Sequence, residues 1–244
     1  MMRNRRHHAF SFAGLVLVGF LAGCGTAKPP PPWQAKTISA SDAAVSAYLQ
    51  GQVKISAIQM KQAQFSASST GRPDAVYKLN LLQCALDISS LSATLCPRPE
   101  DVGIRSDSFD PVVRLDLEAY RAYLLGDSLD ETAQARLPET QRAAAALAGT
   151  TDGADALKVL VAIEEPLSRL VAAGVWLRRQ DLASSGQTGV IALAIDTASQ
   201  QGWRRPLAAW LTRQIRVAQA AGDTATVQRA QARLAIVLDG VSQE

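Results

Sequence analysis

The sequence predicts an all-α protein, with antiparallel helix hairpins stacked as a helical bundle or a short α-solenoid. Three observations carry that prediction. Apolar residues recur at spacings of three and four from about residue 39 onward, which places them on one side of successive helices. No stretch alternates apolar and polar residues between hairpin-type turns, as half-buried strands would. Proline and glycine fall where helices begin and end, and with 48% hydrophobic residues the chain has enough apolar material for a sizeable core.

The first helix is expected from about residue 39, with Ser39 or Ser41 as its cap. Val45, Tyr48, Leu49, Gln52, Ile55 and Ile58 continue its face until the turn cluster Ser68, Ser69, Thr70, Gly71. Pro73 suits the first turn of the next helix, whose apolar positions are Val76, Leu79, Leu82, Leu86 and Ile88. The stretch 97–110, with Pro97 and Pro99, is the least regular and marks a possible subdivision. Asp110 and Pro111 then form a cap and first helical position for a helix that ends near Gly126. A short helix follows Pro138, another spans about Asp152 to Glu164, and a third enters through Pro166 and is lost near Asp181. After the Ser184, Ser185, Gly186 loop come helices over about 189–201, 204–221 and 223–239. Gly202 and Gly222 stand where a left-handed C-terminal residue is wanted. Lys158, Glu164, Glu165 and Arg169 interrupt the apolar stretch Ala156 to Leu177, so it reads as adjacent core helices rather than a membrane span.

The start of the chain has a different grammar. Arg3, Arg5 and Arg6 precede an apolar stretch from Ala9 to Ala22, shorter than the roughly 20 residues of a bilayer-spanning helix. It ends in Leu21, Ala22, Gly23 and Cys24, a run that resembles the lipobox of bacterial lipoproteins. The resemblance implies that residues 1–23 are a cleaved signal peptide recognised through Leu21, Ala22 and Gly23, and that Cys24 carries the acyl chains. Two or more such chains give firm anchoring. Gly25 stands where that family's inner-membrane retention signal usually places Asp, which implies the outer membrane. Residues 24–38, with Pro29 to Pro32, then form a tether of polyproline type at about 3.1 Å per residue, and residues 39–244 form the helical domain.

Cleavage alters what the working protein contains. The chain has 25 basic and 22 acidic residues. The three arginines of the signal segment account for the excess, so a basic nucleic-acid-binding surface is not implied. His7 and His8, the only histidines, leave with the same segment. Without imidazole there is no Ser-His-Asp or Cys-His nucleophile system and no histidine-ligated zinc site, and neither metal nor cofactor is expected. Cys84 and Cys96 remain, and in an oxidising periplasm they read as one disulfide. Twelve residues of unbroken helix would separate them by about 18 Å, against the roughly 4.4–6.8 Å a disulfide allows. The chain must therefore turn back between them, where Ser89, Ser90, Ser92 and Thr94 are poor helix formers.

Two features bear on function. Trp203, Arg204, Arg205 and Trp210, with Trp176, Arg178 and Arg179 as companions, have the residue types that dominate protein interfaces. Two tryptophans seven positions apart are equally suited to filling a core. The stretch Thr188 to Gly240 resembles tetratricopeptide repeats in its Ala218, Gly222, Asp223 and Leu234 pattern. Its helix starts lie 35 residues apart, but Val227 and Gln231 depart from the family's small and bulky positions. That resemblance implies stacked helix pairs over the last part of the chain. The expected function is therefore a non-catalytic, outer-membrane-anchored, periplasm-facing scaffold or assembly factor for another envelope protein. The alternative is a lipid-anchored hydrolase acting on peptidoglycan through carboxylates.

Overall fold

Proline, glycine and capping carboxylates set most of the helix boundaries. The computed structural model describes residues 30–92, 95–180 and 186–239. The signal segment, Cys24 and its neighbours, Pro29, Thr94, Asp181, Ser184, Ser185 and Gly240 lie outside them. Among the described residues there are eleven α-helices and no strand, so the fold is all-α.

The first two helices correct the sequence reading. Helix α1 (Pro32–Leu49) begins seven positions before residue 39, because Pro32 takes the N1 position with its φ already helical and Pro31 is extended at φ −53°, ψ 147°. Residues 32–38 are therefore helix rather than tether. Ser39 lies inside this helix, as does Ser41, whose hydroxyl donates to the Ile38 carbonyl at 2.8 Å. The helix also stops short of Ser68. Gly51 at φ +86° reverses the chain, and α2 (Val53–Ser68) returns along α1, with the Ser56 hydroxyl donating to the Ala44 carbonyl at 2.9 Å. Because of that reversal Ile55 and Ile58 are exposed, not part of the buried face that Tyr48 and Leu49 occupy.

Helix α3 (Pro73–Ser89) follows the expected pattern and presents apolar residues on two sides. Leu79 and Leu86 close a small core with Ala40, Ala44, Tyr48, Leu49, Met60, Ala63 and Ala67 of the hairpin. Tyr77, Leu81, Cys84 and Ile88 belong to the larger core behind it. At its start, burial pushes the Asp74 carboxyl up, but hydrogen bonding and charge from Arg72 at 3.0 Å, with Lys78 at 3.6 Å, outweigh that and hold it below its ordinary value.

After α3 the chain turns through Ser90 and Leu91, the latter at φ +52°, and brings Cys96 back to Cys84 in a disulfide with Cα atoms 5.3 Å apart. Arg121 Nε donates to the Cys96 and Pro97 carbonyls, both at 3.1 Å, and the Tyr77 hydroxyl donates to the Pro97 carbonyl at 2.8 Å. The irregular stretch contains two single 3₁₀ turns, Glu100–Val102 and Ser106–Ser108, and packs Phe109 on Tyr77. Helix α4 (Pro111–Leu125) is capped by Asp110, which accepts from the Val112 and Val113 amides, and ends at Gly126 with φ +82°.

A short helix α5 (Glu131–Ala135), capped by Asp130, was not foreseen; five residues are too few to show a period. It is followed by α6 (Glu139–Ala145) and α7 (Gly153–Val161). The apolar stretch is then divided by the Glu165 cap of α8 (Pro166–Leu177). Among the described residues no helix is long and apolar enough to cross a membrane. Helices α9 (Gln187–Gln200), α10 (Arg204–Ala220) and α11 (Thr224–Asp239) pack in sequence, joined through Gly202 and Gly222 at φ +66° and +71°. Because α8 packs on α3 and α4, and α1 reaches α10, the helices close on one another as a bundle rather than a one-dimensional stack.

Candidate functional site

The tryptophan and arginine residues expected to form an interface do not share an exposed face. Trp210 is fully buried, its indole N–H donating to the Ser89 carbonyl at 2.9 Å, and Trp176 is buried with its N–H on the Thr150 carbonyl at 2.9 Å. Two indoles with satisfied donors inside the core are structural members. Trp203 is the N-cap of α10 and packs partly buried against both cores, so it does not continue the Trp210 face of the helix. Arg204 opens that helix. The Arg205 guanidinium lies 4.2 Å over the Tyr48 ring, and Arg179 donates to the Gly126 carbonyl at 2.7 Å. Glu165 spends its carboxylate on the Leu167 and Ser168 amides at the start of α8.

The side chains that do converge line a cavity of about 380 Å³ between the C-terminal end of α3, α8 and α10. That volume falls within the range of small-ligand sites. Helical spacing explains the lining. On α10, Ala209, Thr212, Arg213 and Arg216 recur at three and four residues and form one stripe, as do Gly174, Leu177 and Arg178 on α8. Gly174 allows the close crossing, since a Cβ there would stand 2.5 Å from the Ile88 carbonyl oxygen. Ile88, Ser90, Leu91 and Ser92, where the chain leaves α3, complete the wall.

The cavity is chemically one-sided. Arg178, Arg213 and Arg216 line it, and no acidic side chain appears among the described residues of its wall. Arg178 donates to the Ser92 carbonyl at 3.3 Å and Arg213 to the buried Gln187 side-chain oxygen at 2.6 Å. Two further polar groups, Ser90 Oγ and Arg213 Nε, are buried with no hydrogen-bond partner among the described residues. Burial pushes the Arg178 guanidinium below its ordinary pKa, with Asp87 opposing the shift. Burial does the same at Arg213, reinforced by the like charge of Arg216. An anion in the cavity would reverse both penalties, and guanidinium groups match carboxylate or phosphate oxygens in pairs.

Sequence reasoning named Arg178 as a companion but passed over Ser90, Arg213 and Arg216. A usable signal existed: α10 carries Arg204, Arg205, Arg213 and Arg216, and no Asp or Glu occurs between Asp196 and Asp223. Among the described residues no group of three or more His, Cys, Asp or Glu side chains is placed to hold a metal ion. The chain matches no protein-family model, no curated protein and no solved structure.

Proposed function

We propose that this chain is an outer-membrane lipoprotein, held by acyl chains on Cys24 and facing the periplasm. Its helical domain binds an acidic group of another envelope protein and catalyses no reaction. The observation that carries the binding reading is the cavity lined by Arg178, Arg213 and Arg216, with no acidic side chain among the described residues of its wall. The lipobox residues Leu21 to Cys24 support the anchor. The cavity's wall suits recognition. Its charges are held by two packed elements, the end of α8 and α10, and it contains guanidinium and hydroxyl groups in place of the paired carboxylates a glycan hydrolase needs.

A photocrosslinking residue placed at Thr212 in the anchored protein tests this in cells. The expected result is a single defined protein adduct, with the crosslink mapped to an acidic segment and lost in the Arg213→Gln, Arg216→Gln variant. Adducts with murein alone, or a protein adduct indifferent to both arginines, would overturn it. The anchor is tested independently: Cys24→Ser should abolish lipid labelling, and persistent labelling contradicts it.

A further inference from the structure

We infer that the outward face of α2 lies on the phospholipid surface in which the anchor sits, an inference that rests on the lipidation of Cys24 proposed above. Inward, α2 presents Ser56, Met60, Ala63 and Ala67 to the hairpin core. Outward it presents large apolar side chains to solvent: Ile55 is 49% exposed, Ile58 64% and Phe65 71%. At 100° per residue these three fall within an arc of roughly 80°, interrupted by Gln62, with Lys54 and Lys61 along one flank. The helix carries no acidic residue. An apolar stripe bordered by lysines is the pattern of helices that lie in the plane of a membrane interface.

Two further observations select a lipid surface as the occupant. One is charge. From Pro31 to Lys78 the basic residues are Lys36, Lys54, Lys61, Arg72 and Lys78 against Asp42 and Asp74, an excess that suits anionic phospholipid. The other is reach. Cys24 stands eight positions before Pro32, a span of at most about 28 Å, while the 16-residue α2 is itself about 24 Å long. Because α2 runs back along α1, its C-terminal end returns toward the end of the hairpin where the anchor enters. Gln62 borders the same groove as Ala35 and Lys36, and the Arg72 guanidinium lies 5.9 Å from the Trp33 ring. The same end thus presents Phe65, an amphipathic indole and several cations close to the bilayer.

The test uses the full acylated protein in phosphatidylethanolamine vesicles with and without phosphatidylglycerol. A fluorescent probe is attached in turn to Ile58→Cys, Phe65→Cys and, as a control on α11, Arg229→Cys. Lipids brominated along their acyl chains should quench the probes at 58 and 65 and leave the one at 229 bright. Equal quenching at all three, or none at 58 and 65, overturns the inference while leaving anchoring intact. Mass spectrometry of the N-terminal peptide reads the anchor separately. If Cys24 carries no acyl chain, the anchoring reading fails, and the face is then judged by flotation of the unmodified protein. Phosphatidylglycerol-dependent flotation that falls roughly 25-fold in Lys54→Gln, Lys61→Gln, about five-fold per charge, supports the inference. Absence of flotation overturns it.

Discussion

The α1–α2 hairpin and the body behind α3 are both helical, yet different side chains hold them. The hairpin's core is mostly alanine, with Ala40, Ala44, Ala63 and Ala67 packed around Tyr48, Leu49 and Met60. The body buries Trp176, Trp210, Tyr77 and Tyr123 among leucines and isoleucines, and its two indoles are hydrogen-bonded to backbone carbonyls. Small side chains let two helices approach closely but remove little apolar area from water per residue. The hairpin leaves Ile58 and Phe65 exposed, whereas the body closes around a cavity lined by arginines. Tyr48 joins them: its hydroxyl donates to Asp87 on α3 at 2.7 Å, and Arg205 of α10 stacks on its ring.

The largest effect should come from the body. Trp210→Ala removes a fully buried indole and leaves the Ser89 carbonyl without its donor, so chemical denaturation should show a loss of about 3–5 kcal/mol. The matching change in the hairpin, Ala63→Gly, should cost only about 1 kcal/mol. Equal losses would erase the contrast. Next comes the staple at the end of α3. The Cys84→Ser, Cys96→Ser pair opens a 12-residue separation and should lower stability by about 3 kcal/mol. Because the turn it closes carries Ser90 and Ser92, anion binding at the cavity should weaken with it.

The smallest effect concerns the joint. Tyr48→Phe should cost about 1 kcal/mol through loss of the hydrogen bond to Asp87. It should also change the alkaline limb of stability. Burial, reinforced by Asp87, pushes the Tyr48 hydroxyl up to about 12, and burial does the same at Tyr77. The unfolded chain gives up these protons near pH 10, while the folded chain keeps them to about pH 12. Stability should therefore be at its full value below pH 10 and fall between 10 and 12. The fall should be shallower in Tyr48→Phe, as read from denaturation midpoints across that window.

The same contrast explains what the sequence revealed. Starts and stops in the body were legible because single residues dictate them: Asp110 with Pro111, Pro166, Gly202 and Gly222 each act locally. The hairpin was misjudged because the apolar spacing from Val45 through Ile58 continues across the reversal, and only Gly51, between two glutamines, marks it. The cavity was harder still. Ser90 and Arg213 line one cavity because α10 reaches the end of α3, where Trp210 is anchored to Ser89, and no local spacing records the approach of residues so far apart. Burial decides between the two readings of Trp176 and Trp210: residue types common at interfaces here fill the interior.

The cavity's preference for an anion is tested most directly by thermal unfolding of the protein with inorganic phosphate, and separately with citrate, at constant ionic strength. A group that binds only the folded state raises the midpoint by mass action, worth about 2.7 kcal/mol at a hundredfold excess over the dissociation constant. The expected result is a saturable rise with at least one of the two anions that disappears in Arg213→Gln, Arg216→Gln. A rise of the same size in that variant, or no rise with either anion in the wild-type protein, would contradict the assignment.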